Sequence, residues 1–137
     1  MKRVVLDTNV LVSFLTDRDP QQQARAAELV TAASRGEVEL VLHQIAATEL
    51  VYVLQNLYRV ETRRVAATIG ELIALPGLLT SDDLPWAAVL ALWPSAIGDF
   101  ADAVLVAATR AGRHDAIATF DLAFRRRLGR LGLASYW

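Results

Sequence analysis

The chain of 137 residues contains no cysteine, which excludes disulfides, thiolate metal ligands and cysteine nucleophiles together. Histidine is scarce: His43 and His114 are the only two, and they form no paired motif. A zinc site built on clustered histidines is therefore excluded, and so is a nucleophilic triad. Lysine is almost absent, since thirteen of the fourteen basic residues are arginine. Long apolar runs are missing as well. The longest uncharged stretch, Leu84–Gly98, is 15 residues and is broken by Pro85 and Pro94, whereas a membrane span needs ~20 apolar residues. Lys2 and Arg3 lead into an apolar run that Asp7 interrupts, which is not the pattern of a secretory signal. These absences predict an intracellular, cytoplasmic protein with no membrane partner. A formal net charge of −1 argues against a surface coated in basic residues but leaves local patches open.

What the chain has in excess is apolar surface. Its apolar fraction of 54% exceeds the ~45–50% usual for soluble domains and excludes intrinsic disorder. The length suits one domain with one core, and no repeat, linker or low-complexity segment divides residues 1–137. Three unalternated apolar runs read as strands buried on both faces: Lys2–Leu6, Val38–Leu42 and Ala116–Phe120. Between them lie helical patterns. Val10–Leu15 suits a helical turn. Asp19-Pro20 is a good helix start, with a core stripe at Ala24, Ala27, Val30 and Ala33 before Gly36. Further helices are expected from His43 to Leu57, from Glu61 to Leu75 (stripe Val65, Ile69, Leu72, Ile73), from Ser81 to Trp93, from Asp99 to Arg113 and over Leu122–Leu128. Leu131–Trp137 suits a short edge strand. Strands alternating with helices predict a three-layer α/β/α domain around a mainly parallel sheet.

Most of the 15 acidic residues fall where a solvated face puts them. Four do not. Asp7 and Asp121 each stand directly after a buried strand, and in open parallel sheets the functional crevice lies outside the strands' carboxyl ends. The plain alternative is that each caps the helix that follows. Glu49 lies at helical spacing between Ala46 and Val53, within an apolar stripe, where a carboxylate is costly unless paired or bound to a cation. A salt bridge to an arginine is the simpler explanation there. Asp102 shares the segment Asp99–Thr109 with one other charge, Asp99. Asp99 is well explained as an N-cap; Asp102 in the first turn is explained less well. If the four converge, their repulsion demands protonation or a divalent cation. An all-oxygen set suits Mg²⁺ or Mn²⁺.

The segments Leu6-Asp7-Thr8-Asn9-Val10-Leu11, Thr48-Glu49-Leu50-Val51, Phe100-Ala101-Asp102-Ala103 and Ala118-Thr119-Phe120-Asp121 resemble, in order, the successive motifs of the PIN-domain family, and most of all its VapC-like toxins of toxin–antitoxin pairs. The resemblance runs from residue 4 to about residue 127. It implies a Mg²⁺- or Mn²⁺-dependent endoribonuclease on a small three-layer fold, usually a homodimer, with a small antitoxin protein as partner. Carried over residue by residue, it places the catalytic, metal-binding acids at Asp7, Glu49, Asp102 and Asp121. Asp99 follows as a fifth ligand or an acid standing behind the ligands, and Asn9 and Thr119 as polar supports. Glu49 either binds metal or orients water.

An RNA substrate also needs positive charge near the acids. Arg125, Arg126 and Arg127, with Arg130, follow Asp121 directly; Arg59, Arg63 and Arg64 form a second cluster. Both also suit a solvated helix face. The apolar surplus, including Tyr52, Tyr58, Trp86 and Trp93, suits a dimer interface and an antitoxin groove as well as ordinary core. Other functions compete with this one. A haloacid-dehalogenase-like phosphatase begins with the same strand and Asp but requires a second Asp where this chain has Asn9. An RNA-processing nuclease without an antitoxin, and a non-catalytic binding module on the same scaffold, remain as alternatives.

Overall fold

Val4 and Leu6 face one way and Val5 the other; Leu40 and Leu42 oppose Val41, and Ala118 opposes Ile117. Strands this short and this uniformly apolar bury both faces, so helices must cover both sides of the sheet they form. The computed structural model, which describes residues 1–137, shows how. Strands β1 (Lys2–Leu6), β2 (Val38–His43), β3 (Leu78–Ser81), β4 (Ala116–Ala118) and β5 (Ala134–Ser135) form one sheet in the order β3-β2-β1-β4-β5. Every pairing is parallel.

Helices α1 (Thr8–Leu15), α2 (Pro20–Ser34), α3 (Gln44–Asn56) and α4 (Thr62–Ile73) pack on the face of Val4, Leu6, Leu40 and Leu42. On the opposite face, α5 (Trp86–Leu92), α6 (Phe100–Ala111) and α7 (Leu122–Arg130) cover Val5, Val41 and Ile117. The result is the expected three-layer α/β/α fold, with an all-parallel sheet. No helix is long and apolar enough to cross a membrane.

The sequence expectations fail in instructive places. Strand β3 was not expected: Leu78–Ser81 is a half-exposed edge segment with no buried apolar run to announce it. The helix expected from Ser81 starts only at Trp86, because Ser81 is still paired to His43 in the sheet and Pro85 sits at the turn into the helix. The buried side of α2 is Ala26, Leu29 and Ala33, so its stripe is rotated from the expected Ala24–Ala27–Val30 register. In α4, Val65 and Leu72 are buried but Ile73 is 49% exposed. By contrast, Asp19 caps α2 as expected, its Oδ1 accepting from the backbone N–H groups of Gln21 and Gln22, each at 3.1 Å. The chain enters β3 through Gly77, whose φ of +80° and approach to the Ala33 carbonyl leave no room for a side chain.

The order of the strands fixes where function belongs. From β1 the chain moves outward through β2 to β3, then returns to the other side of β1 for β4 and β5. The direction reverses between β1 and β4, so the switch point opens at their carboxyl ends. Asp7 and Thr119-Phe120-Asp121 follow those two ends directly.

Candidate active site

At the switch point the Asp7 N–H donates to the Ala118 carbonyl at 3.0 Å, prolonging the ladder beyond β1. Asp7 is 8% exposed and both of its carboxylate oxygens accept hydrogen bonds. Oδ1 accepts from the Thr8 N–H at 2.8 Å, which makes it the cap of α1. Oδ2 accepts from the Thr119 hydroxyl at 2.8 Å and from Asn9 Nδ2 at 3.0 Å. Asn9 also donates to Thr119 Oγ1, and its Oδ1 accepts from the Phe120 N–H. Thr119 Oγ1 further accepts from the Asp121 N–H. One closed network therefore ties the end of β1 to the end of β4, with Asn9 and Thr119 as its cross-links. Only a side chain with both donor and acceptor groups can fill the Asn9 position, which a second Asp could not.

The other acids arrive from separate elements. Asp121 caps α7, its Oδ1 accepting from Ala123 and Phe124 N–H groups at 2.9 and 3.1 Å. Asp99 caps α6, accepting from the Asp102 N–H at 2.9 Å. Asp102 stands in the first turn of α6 and Glu49 in the second turn of α3. Asp7, Glu49, Asp99, Asp102 and Asp121 line one cleft of about 310 Å³, together with Thr8, Asn9 and Tyr58. The capping explanation and the cleft explanation thus hold at once for Asp7, Asp99 and Asp121: one carboxylate oxygen satisfies a helix end and the side chain still borders the cleft.

Glu49 requires a correction. It is not inside the apolar stripe of α3, which is Ala46, Leu50 and Leu54; it stands beside the stripe and reaches solvent. No arginine pairs with it, since the chain's ion pair is Arg3–Glu39.

The electrostatics follow from five like charges in a cleft. Burial, and then the charges of Asp7, Asp99, Asp121 and Glu49, push the Asp102 carboxyl up to about 7. Burial also raises Glu49, helped by Asp99 and Asp7. Asp7 is raised by burial, against the lowering effect of its hydrogen bonds from Thr119 and Thr8.

No three of the acids stand close enough to share an ion as they are, as expected of carboxylates that repel one another. The donor set nonetheless fits a hard divalent cation. It is all oxygen, it carries surplus negative charge, and Thr8 lies buried within it with an unpartnered hydroxyl. Asp7, Asp102, Asp121, Glu49 and Asp99 are the residues that could hold one.

The arginines fall differently from the sequence expectation. Arg125 Nε donates to the Thr119 carbonyl at 2.9 Å, behind the network, and Arg126 and Arg127 lie along α7. None of the three lines the cleft. The basic residue that does is Arg18, from the α1–α2 connection. Its signal in the sequence was indirect: Ser13, a polar residue in the apolar run of α1, exists in the fold as its hydrogen-bond partner. His43 is structural, with Nδ1 accepting from Ile45 N–H and Nε2 bonded to the Asp83 carbonyl. His114 is half-buried, and burial lowers its pKa.

Among solved structures the chain is similar to VapC20 of Mycobacterium tuberculosis, described as a sarcin-ricin loop cleaving toxin. The two are 14% identical with a TM-score of 0.68, over 96% of each chain. It is also similar to FitAcB from Neisseria gonorrhoeae, at 20% identity and TM-score 0.63, over 98% of this chain and 96% of that one. A third likeness is to VapBC-1 from nontypeable Haemophilus influenzae, at 16% identity and TM-score 0.64, over 97% and 96%. At these identities the likeness is one of fold. No curated protein sequence matches this chain. The family model for the PIN domain, however, matches residues 3–123, which takes in every acid of the cleft. The chain belongs to the PIN-domain family.

Proposed function

We propose that the chain is a Mg²⁺- or Mn²⁺-dependent endoribonuclease, one domain acting in the cytoplasm as the toxin of a toxin–antitoxin pair. The observation that carries this reading is the meeting of Asp7, Glu49, Asp99, Asp102 and Asp121, from four separate parts of the chain, in one cleft at the switch point of a PIN-family sheet.

A bound divalent ion would lower the pKa of a water and offset charge on the phosphate and the leaving oxygen. The chain's own residues do the rest. The Thr119 and Asn9 donors fix the Asp7 carboxylate in its rotamer, so its place in the cleft does not have to be organised during the reaction. Asp102 and Asp121 complete the metal-binding wall. Their backbones are anchored at helix starts, where the helix dipole favours negative charge. Glu49, solvent-exposed at the cleft's edge and raised in pKa, is placed to accept a proton from the attacking water. Asp99 retains one oxygen for the cleft while the other holds the α6 cap.

An antitoxin and a second copy of the chain are the expected partners. The antitoxin is supported by the likeness of the fold to FitAcB and VapBC-1. Exposed Tyr52, Leu57, Trp86 and Leu90 supply apolar surface for either contact.

The test is cleavage of total transfer RNA and ribosomal RNA by the purified protein with Mn²⁺, with EDTA, and with Asp7→Asn. Cleavage that requires Mn²⁺ and falls by about 10² or more in Asp7→Asn is expected. Metal-independent cleavage, or full activity in Asp7→Asn, would overturn the reading.

A further inference from the structure

Arg18 is the one cation in a cleft bordered by five carboxylates, yet it pairs with none of them. Neutral groups hold it instead. Nε donates to Ser13 Oγ at 3.1 Å, and Nη2 lies 3.4 Å from both the Asn9 carbonyl and Gln22 Oε1. The Ser13 hydroxyl in turn donates to Gln22 Oε1 at 2.9 Å, and Ser13 is completely buried. A buried serine and a glutamine from the next helix thus form a cradle that aims the guanidinium back along α1 toward Asn9, a neighbour of the Asp7 network. Arg18 is exposed, and its hydrogen bonds within the chain use Nε and Nη2 and leave Nη1 free. A helix-to-helix staple alone would not need a permanent charge at the rim of the cleft.

We propose that Arg18 is the phosphate-positioning residue of the cleft: its Nη1 side binds a backbone phosphate of the RNA next to the scissile one and holds the strand over the acids. This assignment rests on the nuclease reading above. It resolves a difficulty in that reading, because an acidic cleft repels a polyanion wherever a cation does not intervene. It also moves the chief substrate contact away from Arg125–Arg127, which lie outside the cleft. Arginine suits the position, since its planar fork can hold neutral acceptors on one edge and a phosphate on the other.

The experiment compares wild type, Arg18→Gln and Arg18→Lys. Anisotropy titrations with a mixed-sequence single-stranded oligoribonucleotide in Mg²⁺, from low to moderate salt, report binding. Cleavage of total transfer RNA reports KM and kcat, and titration calorimetry reports Mn²⁺ affinity. Arg18→Gln should weaken RNA binding about fivefold and lower the salt slope by about 0.7, the share of one phosphate contact on a single strand. KM should rise by a similar factor with kcat within about twofold, and Mn²⁺ should bind at least as tightly as in wild type. Arg18→Lys should restore the salt slope, which loss of the Ser13–Gln22 staple alone would not explain. Wild-type RNA affinity, salt slope and KM in Arg18→Gln, in a protein whose wild type cleaves RNA, would overturn the Arg18 assignment and leave the nuclease reading intact. A wild type without metal-dependent cleavage would overturn the nuclease reading itself.

Discussion

At the scale of single residues, the cleft stores electrostatic repulsion that the rest of the molecule must tolerate. Asp102 shows this most clearly, because its carboxyl is pushed up to about 7 by burial and by four neighbouring acids. An acid whose pKa is higher in the folded chain than in the unfolded one binds more protons when folded. Its contribution to stability is therefore present at low pH and is lost as pH rises from about 4, the unfolded value, to about 7. Asp7 and Glu49 act in the same direction. We predict that thermal unfolding in EDTA shows a less stable protein at pH 8 than at pH 5, and that Asp102→Asn removes much of that difference. At pH 8 the variant should be more stable than wild type by about 1 kcal/mol, the full shift being discounted for the group's access to water. It should nevertheless be inactive. A variant less stable than wild type at pH 8 would show that Asp102 makes contacts that outweigh its repulsion. The sequence singled out this residue because a lone acid in an apolar helix needed an explanation. It misjudged Glu49, because a one-position step around a helix separates a buried stripe from its edge.

Among the secondary-structure elements, helix starts and cleft acids coincide. Asp7, Asp99 and Asp121 each cap the helix that follows, through one carboxylate oxygen. A sequence pattern cannot choose between cap and ligand, because both require a short acid at the same position; in the fold the two roles are compatible. Substitution separates them. Asp99→Asn keeps the acceptor and should leave stability within about 0.5 kcal/mol of wild type, whereas Asp99→Ala should cost about 1 kcal/mol through loss of the cap. If Asp99 also serves the metal, Asn will weaken Mn²⁺ binding as much as Ala does, despite its intact helix; calorimetry beside chemical denaturation makes the comparison. Equal Mn²⁺ affinity in Asp99→Asn and wild type would reduce Asp99 to a cap. Strands β1, β2 and β4 were legible because their unbroken apolar runs, Val4–Leu6, Leu40–Leu42 and Ala116–Ala118, are buried on both faces. Strand β3 was not, since an edge strand with exposed Leu79 and Thr80 carries no such pattern.

For the molecule as a whole, the cleft exists only in the folded chain, so a metal ion bound there would be coupled to folding. The acids come from the end of β1, the body of α3, the start of α6 and the end of β4, so the site exists only when the sheet and both helical layers are in place. A cation that binds this assembly and not the unfolded chain must stabilise it. Mn²⁺ at 100 times its dissociation constant should add about 2.7 kcal/mol at neutral pH, read as a rise in Tm, and Asp7→Asn should abolish the increment. No shift in wild type would argue against a metal site here. The sequence by itself determined the layered α/β architecture, the parallel sheet and the identity of the unusual acids. Those follow from local pattern: apolar runs, helical periodicity and charges out of place. Tertiary structure alone decided that the acids share one cleft, that Asn9 and Thr119 lock Asp7 between two strands, and that Arg18 rather than the Arg125–Arg127 run borders the site. The reason is geometric. Strand order and helix rotation set which distant residues meet, and neither leaves a trace in the spacing of residues along the chain.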